Sequence, residues 1–224
     1  MAEKNLDFDT VIDRTHTNSL KYDFAVQRGK PMDVLPLWVA DMDFQVSSYI
    51  QEALSGSVAH GIFGYSEAEG SYFEAVAGWM SRHYGWNVEE TWLVKTPGIV
   101  FALAQAVRAF TEPGDAVLLQ QPVYYPFSQV IRDNGRKIVD NTLVQGEDGR
   151  YRIDFADFEE KIRSCKVKLF FLCNPHNPVG RVWTREELLR LGDICEKYGV
   201  IVVSDEIHAD FVFEGSHQVL VGLK

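Results

Sequence analysis

Apolar residues fall into two alternating rhythms along most of this chain. Continuous runs of strand length occur at Ala116–Gln120, Lys168–Cys173 and Val200–Val203, and Lys137–Asp140 reads as a further strand. Val200–Val203 and Lys168–Cys173 show no polar alternation, which suits strands of a parallel sheet covered on both faces. Between the runs lie stretches of helical period. Leu103, Ala106, Val107 and Phe110 follow Pro97-Gly98, Tyr125–Asn134 ends before Gly135, and Asp154 caps a helix to about Ser164. A further helix carries Leu188, Leu191, Ile194, Cys195 and Tyr198 inward; it starts in the capping box Thr184-Arg-Glu-Glu187 and stops at Gly199. Thr91–Thr96 reads as another short strand, and Glu147-Asp-Gly-Arg150 has the Asp-Gly of a tight hairpin turn. This order predicts an α/β fold, a mostly parallel sheet with helices on both faces.

Upstream the pattern is weaker. Met1–Pro36 has little periodicity and reads as an extended arm ordered against a partner surface. Ser47 is placed to cap a brief helix reaching Leu54. His60-Gly-Ile-Phe-Gly-Tyr65 is a glycine-punctuated loop with exposed aromatics. Glu67–Tyr84 follows as a helix with Phe73, Val76, Ala77 and Met80 on one face, ended by Gly85.

Composition changes this picture little. The 224 residues, 46% hydrophobic and 24% charged, suit one large domain or one domain plus part of another. A formal charge of −10 argues against a nucleic-acid surface. No apolar run approaches a membrane span, and the polar, acidic start is unlike a signal peptide. Cys165, Cys173 and Cys195 lack Cys-x-x-Cys spacing and read as reduced, buried small hydrophobes of a cytoplasmic protein.

The candidate chemistry sits at strand ends, where open α/β sheets form their ligand crevice. Val200–Val203 leads into Ser204, Asp205 and Glu206. A buried Asp there needs a cationic partner or several donors, unless it only caps the next turn. Asn174-Pro-His-Asn-Pro-Val-Gly180 follows the second buried strand with two Asn-Pro steps and sets the Asn174 amide beside the crevice. Gln121-Pro-Val-Tyr-Tyr-Pro-Phe127 either presents a flat aromatic face or packs as core. Thr96-Pro97-Gly98-Ile99 leads into a helix N-terminus, a phosphate site or a plain turn. Neither G-x-G-x-x-G nor G-x-x-x-x-G-K-[ST] occurs. His176, His208 and Asp210 have no metal-ligand spacing.

These motifs together resemble a known family. Asn174-Pro-x-Asn177-Pro-x-Gly180 followed by Ser204-Asp-Glu-Ile-His208-x-Asp210 is similar to the fold-type-I pyridoxal-phosphate (PLP) enzymes of the class I/II aminotransferase superfamily. Leu37-Trp-Val-Ala-Asp-Met-Asp-Phe44, Gly64-Tyr-Ser66, Pro122–Phe127 and Cys173–Trp183 resemble its MalY/PatB-type cysteine C–S β-lyases, the cystathionine β-lyases. The resemblance implies that Asp205 pairs with the pyridine nitrogen, that Asn174 and His208 bracket the ring hydroxyl, and that Tyr124 stacks on the ring. Gly98 and Ile99 are implied to give N–H groups to the phosphate. Tyr65 is implied to reach a neighbouring subunit's phosphate, and Ala40 to line the substrate carboxylate. The implied reaction is α,β-elimination of a sulfur-containing amino acid to a thiol, pyruvate and ammonia, in a cytoplasmic homodimer with no nucleic-acid or membrane partner.

The same resemblance divides the chain into residues 1–45, an N-terminal arm and start of a small domain, and residues 46–224, a PLP-binding large domain. It also implies a large domain incomplete at the C-terminus, because the family's Schiff-base lysine lies in a Ser-Lys pair and no Ser-Lys pair occurs here. Lys224 has no matching context. The expectation is therefore a chain with no catalytic lysine and little lyase turnover alone. The alternatives are an aminotransferase of the same superfamily, or a non-catalytic PLP-fold fragment that binds a regulatory protein.

Overall fold

The computed structural model describes residues 7–223. The chain divides into two compact units, one through Glu67 and one from Ala68.

The first unit is held by charge more than by a core. Ala25 and Pro36 are its only buried apolar side chains among the described residues. The Asp23 carboxylate accepts the backbone N–H groups of His16, Thr17 and Ser19, which folds residues 14–23 into turns where an extended arm is expected from the sequence. Arg14 and Lys21 converge on Asp41 and Asp43, at 2.5 Å and 3.1 Å respectively for the Asp43 contacts. These pairs tie the loop carrying Ala40 to the preceding turns. Helix α1 (Ser48–His60) has Ser47 as its cap, the side chain accepting from Tyr49 N–H. It runs past Leu54 because nothing breaks it before Gly61, whose left-handed φ of 74° ends it. In the loop beyond, Phe63 and Tyr65 stand fully out in solvent within this unit, as the glycine-punctuated pattern predicts.

The second unit opens with α2 (Gly70–Tyr84), closed by Gly85 in the left-handed region. The strand expected at Thr91–Thr96 is absent. A 3-10 turn, Glu90–Trp92, takes its place, with Trp92 N–H and Leu93 N–H donating back to Glu89 and Glu90. Val94 is exposed and no neighbouring strand reaches this stretch, so its β-branched residues have no ladder to join.

The sheet comprises β1 (Ala116–Leu119), β2 (Lys137–Asp140), β5 (Leu169–Cys173) and β6 (Ile201–Asp205). All pairings are parallel, in the order β2-β1-β5-β6. A small hairpin, β3 (Val144–Gln145) with β4 (Tyr151–Arg152), turns at Asp148-Gly149 as the Asp-Gly signal predicts. Helices α3 (Ile99–Phe110) and α4 (Pro126–Asp133) cover one face, where Leu103, Val107, Phe127 and Ile131 pack on Val117, Leu119 and Phe171. Helices α5 (Phe155–Cys165) and α6 (Arg185–Tyr198) cover the other, with Phe158, Leu188 and Leu191 against Leu118, Phe170 and Leu172. Successive strand residues therefore feed alternate cores, which is why β1 and β5 carry no polar position. Both caps foreseen here are present: Asp154 accepts from Ala156 and Asp157, and Thr184 and Glu187 make a reciprocal capping box.

Full cover holds for β5 but not for β6. As the sheet's edge strand it leaves Ile201 41% exposed and Val202 and Val203 half-buried, whereas every residue of β5 is buried. Cys173 and Cys195 are buried as expected, and burial pushes both thiols up to about 12; Cys165, at the end of α5, is exposed instead.

Candidate functional site

Strand order decides where this sheet can bind. From β1 the chain crosses by α4 to β2 on one side, and then returns by α5 to β5 on the other. The order reverses between β1 and β5, so the crevice opens past their carboxyl ends. Gln120 to Tyr124 leave β1 at that point, Asn174 leaves β5 and Asp205 ends β6.

Two of these residues are adjacent. Cys173 and Asp205 are register partners, and the Asn174 N–H donates to the Asp205 carbonyl at 2.9 Å. Both side chains are buried. The Asp205 carboxyl is held above its ordinary value, chiefly because burial penalises its charge; the Ile207 N–H on Oδ1 (3.1 Å) and the nearby His208 oppose this. Asn174 donates from Nδ2 to the Gln218 carbonyl at 3.0 Å, while its buried Oδ1 has no partner. One Nδ2 hydrogen is thus taken by the chain itself, and the orphan group is an acceptor.

Tyr124 is brought to the same edge by backbone. Its N–H donates to the Asn177 carbonyl at 3.0 Å, and its ring meets Phe127 edge-on at 6.5 Å with more than a third of its surface open. The two Asn-Pro turns behind Asn174 are fixed by His176. Its N–H donates to the Arg181 carbonyl at 2.7 Å, and its Nε2 lies 3.0 Å from the Pro122 carbonyl, joining the β1 and β5 loops. The Trp183 ring lies edge-on to His176, and its Nε1 donates to the Cys173 carbonyl at 3.0 Å.

Gly98 and Ile99 sit at the start of α3, which packs its Leu103 and Val107 into the core shared with Val203 of β6. No side chain caps this helix. Its first N–H groups point out of the turn unmet by a capping oxygen, the arrangement that favours an anion. A Cβ added to Gly98 meets nothing within 4 Å. His208 lies in the turn after β6, half-buried, its ring edge-on to Phe211 at 6.2 Å. Ala40 and Tyr65 belong to the first unit, both exposed there.

The contacts behind these residues were not foreseen from the sequence. His217 pairs with Glu206 at 2.9 Å, and Asp210 accepts from Trp79 Nε1 at 3.2 Å and from the Tyr84 hydroxyl. Their separations along the chain, 11 residues for the first pair and 131 and 126 for the others, give no local motif that could have pointed to them.

What this arrangement offers is a buried carboxylate seeking a cation, an orphan acceptor beside it, an open aromatic ring and an uncapped helix start. The model of the aminotransferase class I and II family matches residues 33–223. The chain belongs to that family. Among curated members, it is 49% identical over 210 residues to the cystathionine beta-lyase PatB of Bacillus subtilis (strain 168), covering 94% of this chain and 54% of that protein. It is 35% identical over 208 residues to Protein MalY of Escherichia coli (strain K12), covering 92% and 53%. The solved structure of cystalysin from Treponema denticola, which contains a pyridoxal 5′-phosphate cofactor, superposes with a TM-score of 0.91 at 37% identity, over 98% of this chain and 56% of that one. The chain spans about half the length of the curated family members it matches. An α/β fold with a parallel sheet is thus common to the sequence reading, the structure and the family.

Proposed function

We propose that the ends of β1, β5 and β6 hold pyridoxal 5′-phosphate and that the chain serves α,β-elimination from sulfur-containing amino acids. The observation that carries this reading is Asp205: a buried carboxylate at a strand tip, held above its ordinary value, beside the orphan Oδ1 of Asn174. A protonated pyridine nitrogen is the cation that such a carboxylate lacks. Tyr124 offers its open ring as a stacking face, Asn174 and His208 flank the ring hydroxyl, and Gly98 and Ile99 offer N–H groups to the phosphate. The space beyond Gly98 supports the last role, because a bare backbone there lets an anion approach closely. When bound, the cofactor supplies an electron sink for a substrate carbanion. The protein's part is to keep the ring nitrogen protonated, orient the ring and exclude water.

Similarity to curated cystathionine β-lyases favours elimination over amino transfer. Ala40 toward the substrate carboxylate, and Tyr65 toward the phosphate of a second subunit in a homodimer, complete the reading by resemblance. No Ser-Lys pair is present in the sequence, so we further propose that these 224 residues alone turn over little or no substrate.

Incubating the chain with PLP and cystathionine, with and without a keto-acid acceptor, tests both parts. Neither pyruvate nor amino transfer is expected at an enzymatic rate, and borohydride is expected to fix no label on one specific lysine. Rapid pyruvate release overturns the silent-chain proposal while upholding elimination; rapid transfer to the keto acid overturns the lyase reading.

A further inference from the structure

Behind Asp205 lies a network that the cofactor reading does not use. The turn after β6 closes on itself, with Ala209 N–H donating to Glu206 and Phe211 N–H to His208, both at 2.9 Å. Each end of this turn is then anchored through a carboxylate. Glu206 accepts from Ser204 Oγ at 2.7 Å and from Leu220 N–H at 3.1 Å on one oxygen, and pairs with His217 Nε2 on the other. The His217 side chain is 1% exposed. Asp210 accepts from Trp79 Nε1 and the Tyr84 hydroxyl, both on α2. The Tyr84 ring meets His217 edge-on, with centroids 5.6 Å apart and planes at 79°, which closes the circuit between the two anchors.

We propose that Tyr84, Trp79, Asp210, Glu206 and His217 are positioning residues that fix the turn bearing His208, and with it the backbone behind Asp205, for cofactor binding. The proposal rests on the PLP reading of that site. Two further observations support it. The 217–220 segment that anchors Glu206 also takes the Asn174 amide through the Gln218 carbonyl, so one strap steadies both flanks of the site. Burial first, and the Asp210 carboxylate second, push the Tyr84 phenol up to about 12, which keeps it a donor throughout the working pH range. The turn has little else to order it, since Ile207, Phe211 and Phe213 on and after it are exposed.

The test removes single polar atoms and reads the turn and the site separately. Hydrogen exchange on the full, ligand-free chain is compared for wild type, Tyr84→Phe, Asp210→Ala and Asp210→Asn. Binding of pyridoxine 5′-phosphate, which has no aldehyde to react with surface lysines, is measured on the same proteins. Losing a hydrogen bond to a charged group predicts amide exchange at Ala209 and Phe211 faster by about tenfold in Tyr84→Phe and Asp210→Ala, with β5 unchanged. Affinity is expected to fall by about tenfold in the same two variants, while Asp210→Asn, which keeps an acceptor oxygen, stays near wild type. Unchanged exchange at those amides overturns the positioning role whatever the ligand data show. Failure of wild type to bind pyridoxine phosphate overturns the cofactor reading, and the exchange result then still decides whether the network orders the turn. Faster exchange with unaltered affinity contradicts the link to binding.

Discussion

Asp205 is where stability and function pull apart at the scale of one residue. Its folded-state carboxyl sits above the ordinary value, so the fold binds that proton more readily than the unfolded chain does. The stability linked to it is present at low pH and is lost as pH rises through the raised folded value, so at neutral pH the charge is a cost. Asp205→Asn is therefore expected to raise the Tm of the ligand-free chain by about 2–4 °C for each kcal/mol recovered, while weakening PLP binding. A lowered Tm contradicts the assignment of burial as the dominant effect. His176 works in the opposite sense. Burial holds its imidazole below the usual value, so its contribution is complete above the unfolded value of about 6.5 and is lost as pH falls toward the folded one. Urea midpoints measured from pH 7.5 down to pH 5 are expected to fall in wild type and to lose part of that slope in His176→Gln; identical slopes exclude His176 as the source.

At the scale of elements, the parallel strands, the capping box and the Asp-Gly hairpin were legible because each has a local signal in side-chain period or turn chemistry. The strand expected at Thr91–Thr96 was not, since β-branched residues form a strand only where an edge is there to receive them. Nor could periodicity show that β6 stands at an edge, because cover on a strand comes from elements far away in sequence. The site was legible in part for the same reason. Asp205 and Asn174 stand at the ends of readable strands, whereas the Tyr84–Asp210 and His217–Glu206 contacts join distant segments. The start of α3 gives an element-scale prediction. Gly98 has extended backbone (φ 161°) and open space at its Cβ position, so Gly98→Ala is expected to leave Tm unchanged while weakening pyridoxine phosphate binding several-fold. A fall in Tm with unaltered affinity places the role of Gly98 in folding instead.

For the molecule as a whole, the two units differ in what holds them. The second has two apolar layers about one sheet; the first depends on Arg14 and Lys21 against Asp41 and Asp43, with α1 contributing no buried side chain. Among the described residues no helix is long and apolar enough to cross a membrane. The central claim belongs to the second unit: one carboxylate recognises one protonated ring nitrogen. Affinities of wild type for pyridoxine 5′-phosphate and for its analogue with carbon in place of the ring nitrogen test this most directly. A charge-assisted hydrogen bond at a buried site predicts that the carbon analogue binds weaker by about tenfold or more. Equal affinity for the two compounds contradicts the account.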